Sequence, residues 1–274
     1  MGTSHRYKAT VKGQPNWGQS SAAITAMTAG VVKLAELNKN PPENETAKQI
    51  AKRHDRLERQ ISYNYRSAIR HLVRAAGGRH TVSSGSSRAF GRAGISSIGG
   101  LVAVIHEIAN KGLSEWLRKR GETLEGKRAC DVIDAIRGYM ETEIVGLDHT
   151  AANEAMEYVL DKLEEMIGED VEKIDDVLDA ILSGCEIKDL IALFFGMYIY
   201  SHLSQSFEEK LEYEKGSVAT KDAMDQIKEQ ILDDVRTARL GHDVRVIDWS
   251  NPEGDAFIKA EFDRIIYIIQ GNED

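Results

Sequence analysis

Apolar side chains recur every three or four positions along most of this chain, which is the period of an amphipathic α-helix. The pattern is clearest in residues 44–76, which begin at Asn44, a good N-cap residue, and stop before the pair Gly77-Gly78. The apolar positions of this segment are Ile50, Leu57, Ile61, Tyr65, Ala68, Ile69, Leu72 and Val73. The pattern predicts a mainly α protein, built as an irregular multi-helix bundle.

The same period, with glycines as end signals, predicts further helices on both sides of this segment. Ser20 or Ser21 is the predicted N-cap of the first helix, and Asp148 that of the helix at 150–167. Residues 243–249 (DVRVIDW) alternate between polar and apolar and form the single predicted strand. The further helices cover about residues 17–37, 98–111, 114–120, 126–140, 150–167, 171–182, 187–213, 220–240 and 255–270.

Charge divides the chain into two parts. Residues 1–120 hold 20 Lys and Arg against 7 Asp and Glu, a net charge of +13, whereas residues 121–274 carry a net charge of −22. A stretch rich in Gly and Ser, GGRHTVSSGSSRAFGRAGISSIGG at residues 77–100, stands before the acidic part. We therefore predict a flexible N-terminal arm (1–16), a basic helical region ending in a Gly/Ser-rich joint (17–100) and an acidic helical body (101–274).

Apolar runs are short throughout. None approaches the roughly 20 consecutive apolar residues of a membrane-spanning helix, and the first residues lack the apolar core of a signal peptide. The longest run, LIALFFGMYIY at residues 190–200, suits the interior of a buried helix. The sequence predicts a cytoplasmic protein without a membrane partner.

Six arginines with few acids between them are the first candidates for a binding surface. Such a face can track nucleic-acid phosphates, but it can equally be solvated, or pair with the acidic half of the chain or with an acidic partner. The neighbouring glycines do not form a phosphate loop, because the Gly-Lys-Ser/Thr end of that motif and a preceding strand are missing. These arginines, on the basic helix at 44–76 and in the glycine stretch, are Arg66, Arg70, Arg74, Arg79, Arg88 and Arg92.

Arg66 and His71 fit the R-x4-H spacing of HEPN-type ribonucleases, which are also helical. Five positions on a helix amount to about 140° of rotation, so the two side chains share a site only if a partner subunit completes it. The histidines show no metal-ligand spacing, and pairs of acids such as Glu164-Glu165 fit the solvent faces of amphipathic helices. We predict no metal site.

Several segments, taken in order, resemble a known family. The start MGTS, the mobile arm, the stretch GISSIGGLVAVIHEIANKGLSEWLRKRG and the late DWSNPEG before a terminal helix are similar to the B component of the Qat (Quatuor) four-gene anti-phage systems. The resemblance implies a non-enzymatic protein, encoded beside an ATPase, a QueC-like deazaguanine enzyme and a TatD-like nuclease, which become its expected partners. Neither the residues nor the resemblance implies a cofactor.

The resemblance also gives the N-terminus a role. QueC-like enzymes activate a carboxylate with ATP and capture it with an amine, and the α-amine of Gly2, once Met1 is removed, is unhindered and has an ordinary pKa of about 8. Under this resemblance Gly2 accepts a nucleobase-like modification while the helical body docks partners. On the residues alone, MGTS is merely a disordered start.

Overall fold

The computed structural model describes residues 15–140, 146–168, 171–183, 186–237, 247, 249 and 252–271. Within them the chain forms eleven α-helices, a 3-10 turn at Val171–Lys173 and no strand, which confirms the mainly α prediction. The predicted strand at 243–249, apart from residues 247 and 249, lies outside the described residues, as do residues 1–14 of the predicted arm at 1–16. The last two residues of that arm, Pro15 and Asn16, belong to the first helix. The helices are α1 (Pro15–Lys39), α2 (Ala47–Ala75), α3 (Arg79–Ser83), α4 (Arg92–Lys111), α5 (Leu113–Arg118), α6 (Ala129–Met140), α7 (Leu147–Ile167), α8 (Ile174–Ser183), α9 (Glu186–Lys215), α10 (Ser217–Thr237) and α11 (Pro252–Ile269).

The first two helices form an antiparallel hairpin, in which Ser20 of α1 meets Ala68 of α2 and Gly30 meets Ile61. α1 lies alongside α9 and runs parallel to it. Lys210 Nζ donates to Ser21 Oγ at 2.5 Å, and four residues further along both helices Thr25 Oγ1 donates to Glu214 at 3.5 Å. α9 ends one residue after Glu214, whereas α1 continues for 14 residues beyond Thr25. At 1.5 Å per residue, α1 therefore runs on for about 20 Å beyond Thr25.

α9 is the central helix of the body. Its apolar segment is buried on almost every side, as expected of a helix enclosed by others, and it packs against α1, α4, α7, α8, α10 and α11. Buried side chains from α1 to α11 form one continuous hydrophobic core.

Several helix starts differ from the sequence prediction, and those of α1, α2 and α4 are the most informative. α1 begins at Pro15, so neither Ser20 nor Ser21 is a cap, because both lie inside the helix. Ser20 is buried, and its Oγ donates to the Ala68 carbonyl at 2.7 Å. α2 is capped by Thr46 instead of Asn44, in a reciprocal capping box with Gln49. α4 begins at Arg92, six residues before the predicted start. Residue 100, where the sequence suggested a boundary, lies within α4.

The glycine stretch owes its helical second half to close packing. A Cβ on Gly94 would lie 2.6 Å from the Tyr198 ring on α9, and one on Gly100 would lie 2.9 Å from Met140 Cε on α6. Glycine lowers helix propensity by up to about 1 kcal/mol, which explains why sequence reasoning placed the helix start too late. Small residues here let α4 approach its neighbours closely.

By length and composition alone, α4 is apolar enough to cross a membrane, although the sequence suggested no such segment. Half of that stretch is buried inside the protein. Its apolar side chains are thus largely accounted for by the core that they help to form.

Gly94→Ala is expected to lower the free energy of unfolding by about 2 kcal/mol, because the new methyl group overlaps a buried aromatic ring. Gly138→Ala is the matched control, since Gly138 is an exposed position of α6 with nothing within 4 Å of the added Cβ. It should stabilise the protein by about 0.5 kcal/mol. Urea denaturation measures both. Equal effects at the two positions would contradict the close-packing account.

Candidate functional site

A buried polar cluster lies at the N-terminal end of α4. Asp148, at the start of α7, accepts hydrogen bonds from the backbone amides of Gly91 at 3.2 Å and Ala93 at 2.9 Å. The first amides of a helix have no partners within the helix, and its N-terminus favours negative charge. The Asp148 carboxylate therefore caps α4 from another helix, 57 residues away from Gly91 in sequence.

Two side chains of α9 complete the cluster. The Tyr198 hydroxyl donates a short hydrogen bond to Asp148 and accepts one from the Gly91 amide at 2.6 Å. His202 Nε2 lies 3.2 Å from the same carboxylate, and its ring packs on Phe90 with centroids 4.6 Å apart. Tyr198 is fully buried and His202 nearly so. We name Asp148, Tyr198 and His202 the α4 clamp.

The electrostatics of the α4 clamp keep the carboxylate charged. Burial alone would raise the pKa of Asp148, but the hydrogen bonds from His202, Tyr198 and the Ala93 amide outweigh it and hold the pKa below its usual value. Burial, reinforced by the Asp148 charge, raises the pKa of Tyr198 well above its ordinary value. The phenol thus stays neutral and donates its proton to the carboxylate, a stable arrangement that fixes the start of α4.

Sequence reasoning assigned Asp148 to the wrong helix. It predicted a cap for the helix at 150–167, but the residue before α7 is Gly146, which supplies no side-chain cap. Tyr198 and His202 went unnoticed. Their signal was a spacing of four within an apolar helix, which places two polar groups on one face.

Two of the six arginines join the basic helix to the acidic half of the same chain. Arg66 donates to Asp234 on α10 at 3.1 Å and to the Ile268 carbonyl at 3.0 Å. Arg70 donates to the Gln270 carbonyl at 3.1 Å. Both carbonyls belong to the C-terminal end of α11, where cations are favoured. Here the basic and acidic parts pair within one chain.

A third arginine also faces acidic and aromatic groups of α11. Arg79 Nε lies 3.3 Å from the Asp263 carboxylate, and its guanidinium stands over the Tyr267 ring at 4.9 Å. Ser83 Oγ donates to the same Asp263 at 2.9 Å, so α3 and α11 are tied together at this point. The remaining arginines, Arg74, Arg88 and Arg92, are exposed.

The pair with ribonuclease-type spacing does not converge within the chain. Arg66 is engaged with Asp234, whereas His71 Nδ1 lies 3.3 Å from Asn16 Oδ1 at the start of α1. Burial, followed by the nearby charges of Arg74 and Arg70, lowers the pKa of His71. The HEPN-like alternative thus still requires a second subunit to bring the two groups together.

Metal ligands and cavities give no stronger candidate within the described part of the chain. His54, Asp55 and Glu58 offer ligand atoms within 4.8 Å of one another. They sit on one turn of α2, and the 3.4 Å ion pair of His54 with Glu58 accounts for much of that proximity. Clefts of about 350 Å³ and 250 Å³ lie between α2 and α10 and between α4 and α11. Neither is lined by the α4 clamp.

Gly2 lies outside the described residues, but the point where the arm joins the fold is defined. Trp17 stacks on Phe207 of α9 with ring centroids 4.8 Å apart, and the adjacent Asn16 meets His71 of α2. We name Asn16 and Trp17, with these contacts, the arm root. It holds the first turn of α1 against two other helices.

Comparison with known families gives one finding. The family model described as "Qat anti-phage system associated protein QatB" matches residues 81–269, more than two thirds of the chain. The match spans α4 to α11, including the whole α4 clamp, and begins after the arm and the hairpin. No curated protein and no solved structure matches the chain. The chain therefore belongs to the QatB family of Qat anti-phage system proteins, and hence to a defence system with further protein components.

Proposed function

We propose that this protein is a non-catalytic, cytoplasmic scaffold of its Qat system and that its N-terminal Gly2 is the acceptor for modification by a QueC-like partner enzyme. The ATPase and the TatD-like nuclease of the system are the proposed partners of the helical body. The observation that carries the proposal is the arm root, because it supplies a fixed base from which a terminal amine can be presented.

The arm root sets how far Gly2 can reach. The Trp17–Phe207 stack and the contact between Asn16 and His71 hold the chain where α1 begins. Twelve residues separate Gly2 from Pro15, and the thirteen steps between the two span at most about 45 Å at about 3.5 Å each. This reach allows Gly2 to enter the active site of another enzyme while the body stays bound elsewhere.

The proposed chemistry needs only an uncharged amine from this chain. The Gly2 nitrogen attacks the carboxyl carbon that the partner has activated with ATP, the activating group departs with the bonding electrons, and the nitrogen loses a proton to form an amide. Gly2 has no side chain to hinder the attack. Because an ordinary α-amine has a pKa of about 8, a substantial fraction is uncharged at cellular pH.

The Gly2→Pro variant tests the proposal by intact-mass analysis after co-expression with the QueC-like enzyme. The wild-type chain should gain the mass of a carboxylic acid less one water, whereas Gly2→Pro, with a hindered secondary amine, should gain nothing. Loss of the adduct should abolish protection against phage by the complete system.

Lysines of the arm provide the matched control. Lys8→Arg and Lys12→Arg keep the charge but remove both ε-amines near the terminus, so this double variant should be modified as the wild type is. An adduct that survives Gly2→Pro and disappears in the lysine variant would place the acceptor elsewhere. An unmodified wild-type N-terminus, with protection kept by Gly2→Pro, would refute the proposal.

A further inference from the structure

The two sequence segments that supply the arm root, which include Asn16, Trp17 and His71, carry positive charge without any acid. From residue 59 to residue 106 the chain has no Asp or Glu, and residues 1–35 have none either. The first of these stretches carries seven arginines, and the arm adds Arg6, Lys8 and Lys12. The seven are Arg59, Arg66, Arg70, Arg74, Arg79, Arg88 and Arg92. Carboxylates that pair with these arginines must therefore come from other parts of the chain or from a partner.

The fold balances some of these charges and leaves others outside. Arg66 and Arg79 have carboxylates of α10 and α11 within 3.3 Å, and Arg70 is held by a carbonyl at the end of α11. Arg74, Arg88 and Arg92 point outward, and no carboxylate of the described residues pairs with them. We name these three the outer arginines.

Each outer arginine is connected to the arm root through a short series of contacts in the fold. Arg74 follows His71 by one helical turn, and His71 contacts the arm root directly. The loop before α4 returns to the end of α2, where Ser87 Oγ donates to the Ala76 carbonyl at 2.6 Å. Arg88 is the next residue after this anchor. Arg92 begins α4, at the end of the helix held by the α4 clamp.

We propose that the outer arginines dock an acidic surface of the enzyme that modifies the N-terminus. This inference rests on the proposed function, because it names the surface that brings the enzyme to the arm. Arginine pairs with protein carboxylates through two parallel hydrogen bonds, and clustered positive charge speeds the encounter with an acidic partner. An enzyme docked beside the arm root lies within the 45 Å span of the arm, so Gly2 can reach its active site.

The surface fits carboxylates better than nucleic acid. Three cations engage only about three phosphates, half or less of the contacts of a typical DNA-binding surface. A single-strand platform also needs exposed aromatic rings, and within the described residues no large exposed ring lies between residues 64 and 138. The exposed rings that are nearest in sequence, Tyr63 and Tyr139, lie just outside that range.

Charge reversal at the three positions tests the docking surface. The variant carrying Arg74→Glu, Arg88→Glu and Arg92→Glu should be modified at least about tenfold more slowly than the wild type by purified QueC-like enzyme with ATP and its carboxylate substrate. The matched control carries Lys48→Glu, Lys52→Glu and Arg56→Glu, three exposed cations on the hairpin, and makes the same change in net charge. Its rate should stay within about twofold. The wild-type rate should fall with added salt.

Direct binding of the enzyme keeps the docking proposal separate from the modification proposal. In one outcome, wild-type Gly2 is never modified, but the enzyme binds the wild-type chain and does not bind the outer-arginine variant. Docking then stands and the modification proposal fails. Wild-type rate and affinity in the outer-arginine variant would overturn docking alone. Loss of duplex or single-stranded nucleic-acid binding in that variant, with enzyme binding intact, would reassign the surface to nucleic acid and also overturn docking. Thermal unfolding confirms that both triple variants are folded.

Discussion

Asp148→Asn should cost about 3 kcal/mol of unfolding free energy at pH 7. The carboxylate accepts from the Gly91 and Ala93 amides, from Tyr198 and from His202. Asn has the same shape but replaces one accepting oxygen with a donor, which would face amides that also donate. Leaving several buried donors without an acceptor costs about 1–3 kcal/mol for each, offset in part by relaxation of the site. Urea denaturation followed by circular dichroism measures the loss.

Asp161→Asn is the control for that substitution. Asp161 lies on the same helix, α7, but its side chain is 65% exposed and pairs with Arg137 at 3.4 Å. Its loss should change stability by about 0.5 kcal/mol or less. Equal losses for Asp148→Asn and Asp161→Asn would show that the α4 clamp contributes no more to the free energy of unfolding than an exposed ion pair.

The cost of Asp148→Asn should also depend on pH. The folded protein holds the pKa of Asp148 below its ordinary value, which is about 3.9 in an unfolded chain. A depressed pKa stabilises the folded state above the unfolded pKa, and this contribution disappears as the pH falls through the folded pKa. The difference between wild type and variant should thus be constant near neutral pH and shrink below about pH 4.

Gly91→Ala is expected to destabilise the protein by at least about 3 kcal/mol. Gly91 has φ +117°, a conformation that residues with a Cβ rarely adopt, and an added Cβ would lie 2.2 Å from the Val82 carbonyl oxygen. Relief requires the backbone to move, which pulls the Gly91 amide away from Asp148 and Tyr198. Strain and overlap each contribute about 1–3 kcal/mol.

Gly78→Ala separates these two contributions. Gly78 has a comparable φ of +94°, but nothing lies within 4 Å of an added Cβ. Its substitution should cost about 1–2 kcal/mol, from backbone strain alone. Thermal or urea unfolding of the two variants side by side gives the comparison. If the Gly91→Ala protein is as stable as the Gly78→Ala protein, the backbone before α4 can move away from the Val82 carbonyl at little cost in free energy.

Local sequence rules identified most of the helices. α4, α7 and α9 end at Gly112, Gly168 and Gly216, as the glycine end signals predicted. These signals act within a single turn of helix, so they can be read without knowledge of the fold. The start of α4 could not be read in this way, because Gly94 weakens the helix locally and is favourable only against the Tyr198 ring.

The α4 clamp was out of reach for the same reason. Asp148 stands at a helix start, and local rules gave its carboxylate to that helix. In the fold it serves α4, more than 50 positions earlier in the chain. For the arginines of the basic helix, the sequence identified the residues but not their partners. Their charge was evident from the sequence, but only the folded chain separates Arg66 and Arg70, which hold α11, from the exposed Arg74.

The state of Gly2 tests the central claim most directly. The measurement is tandem mass spectrometry of the N-terminal peptide, taken from cells in which the complete system protects against phage. We expect the α-amine of Gly2 to carry an acyl group when the QueC-like enzyme is active and to be free when that enzyme is inactivated. A free Gly2 amine in cells that are protected would contradict the account.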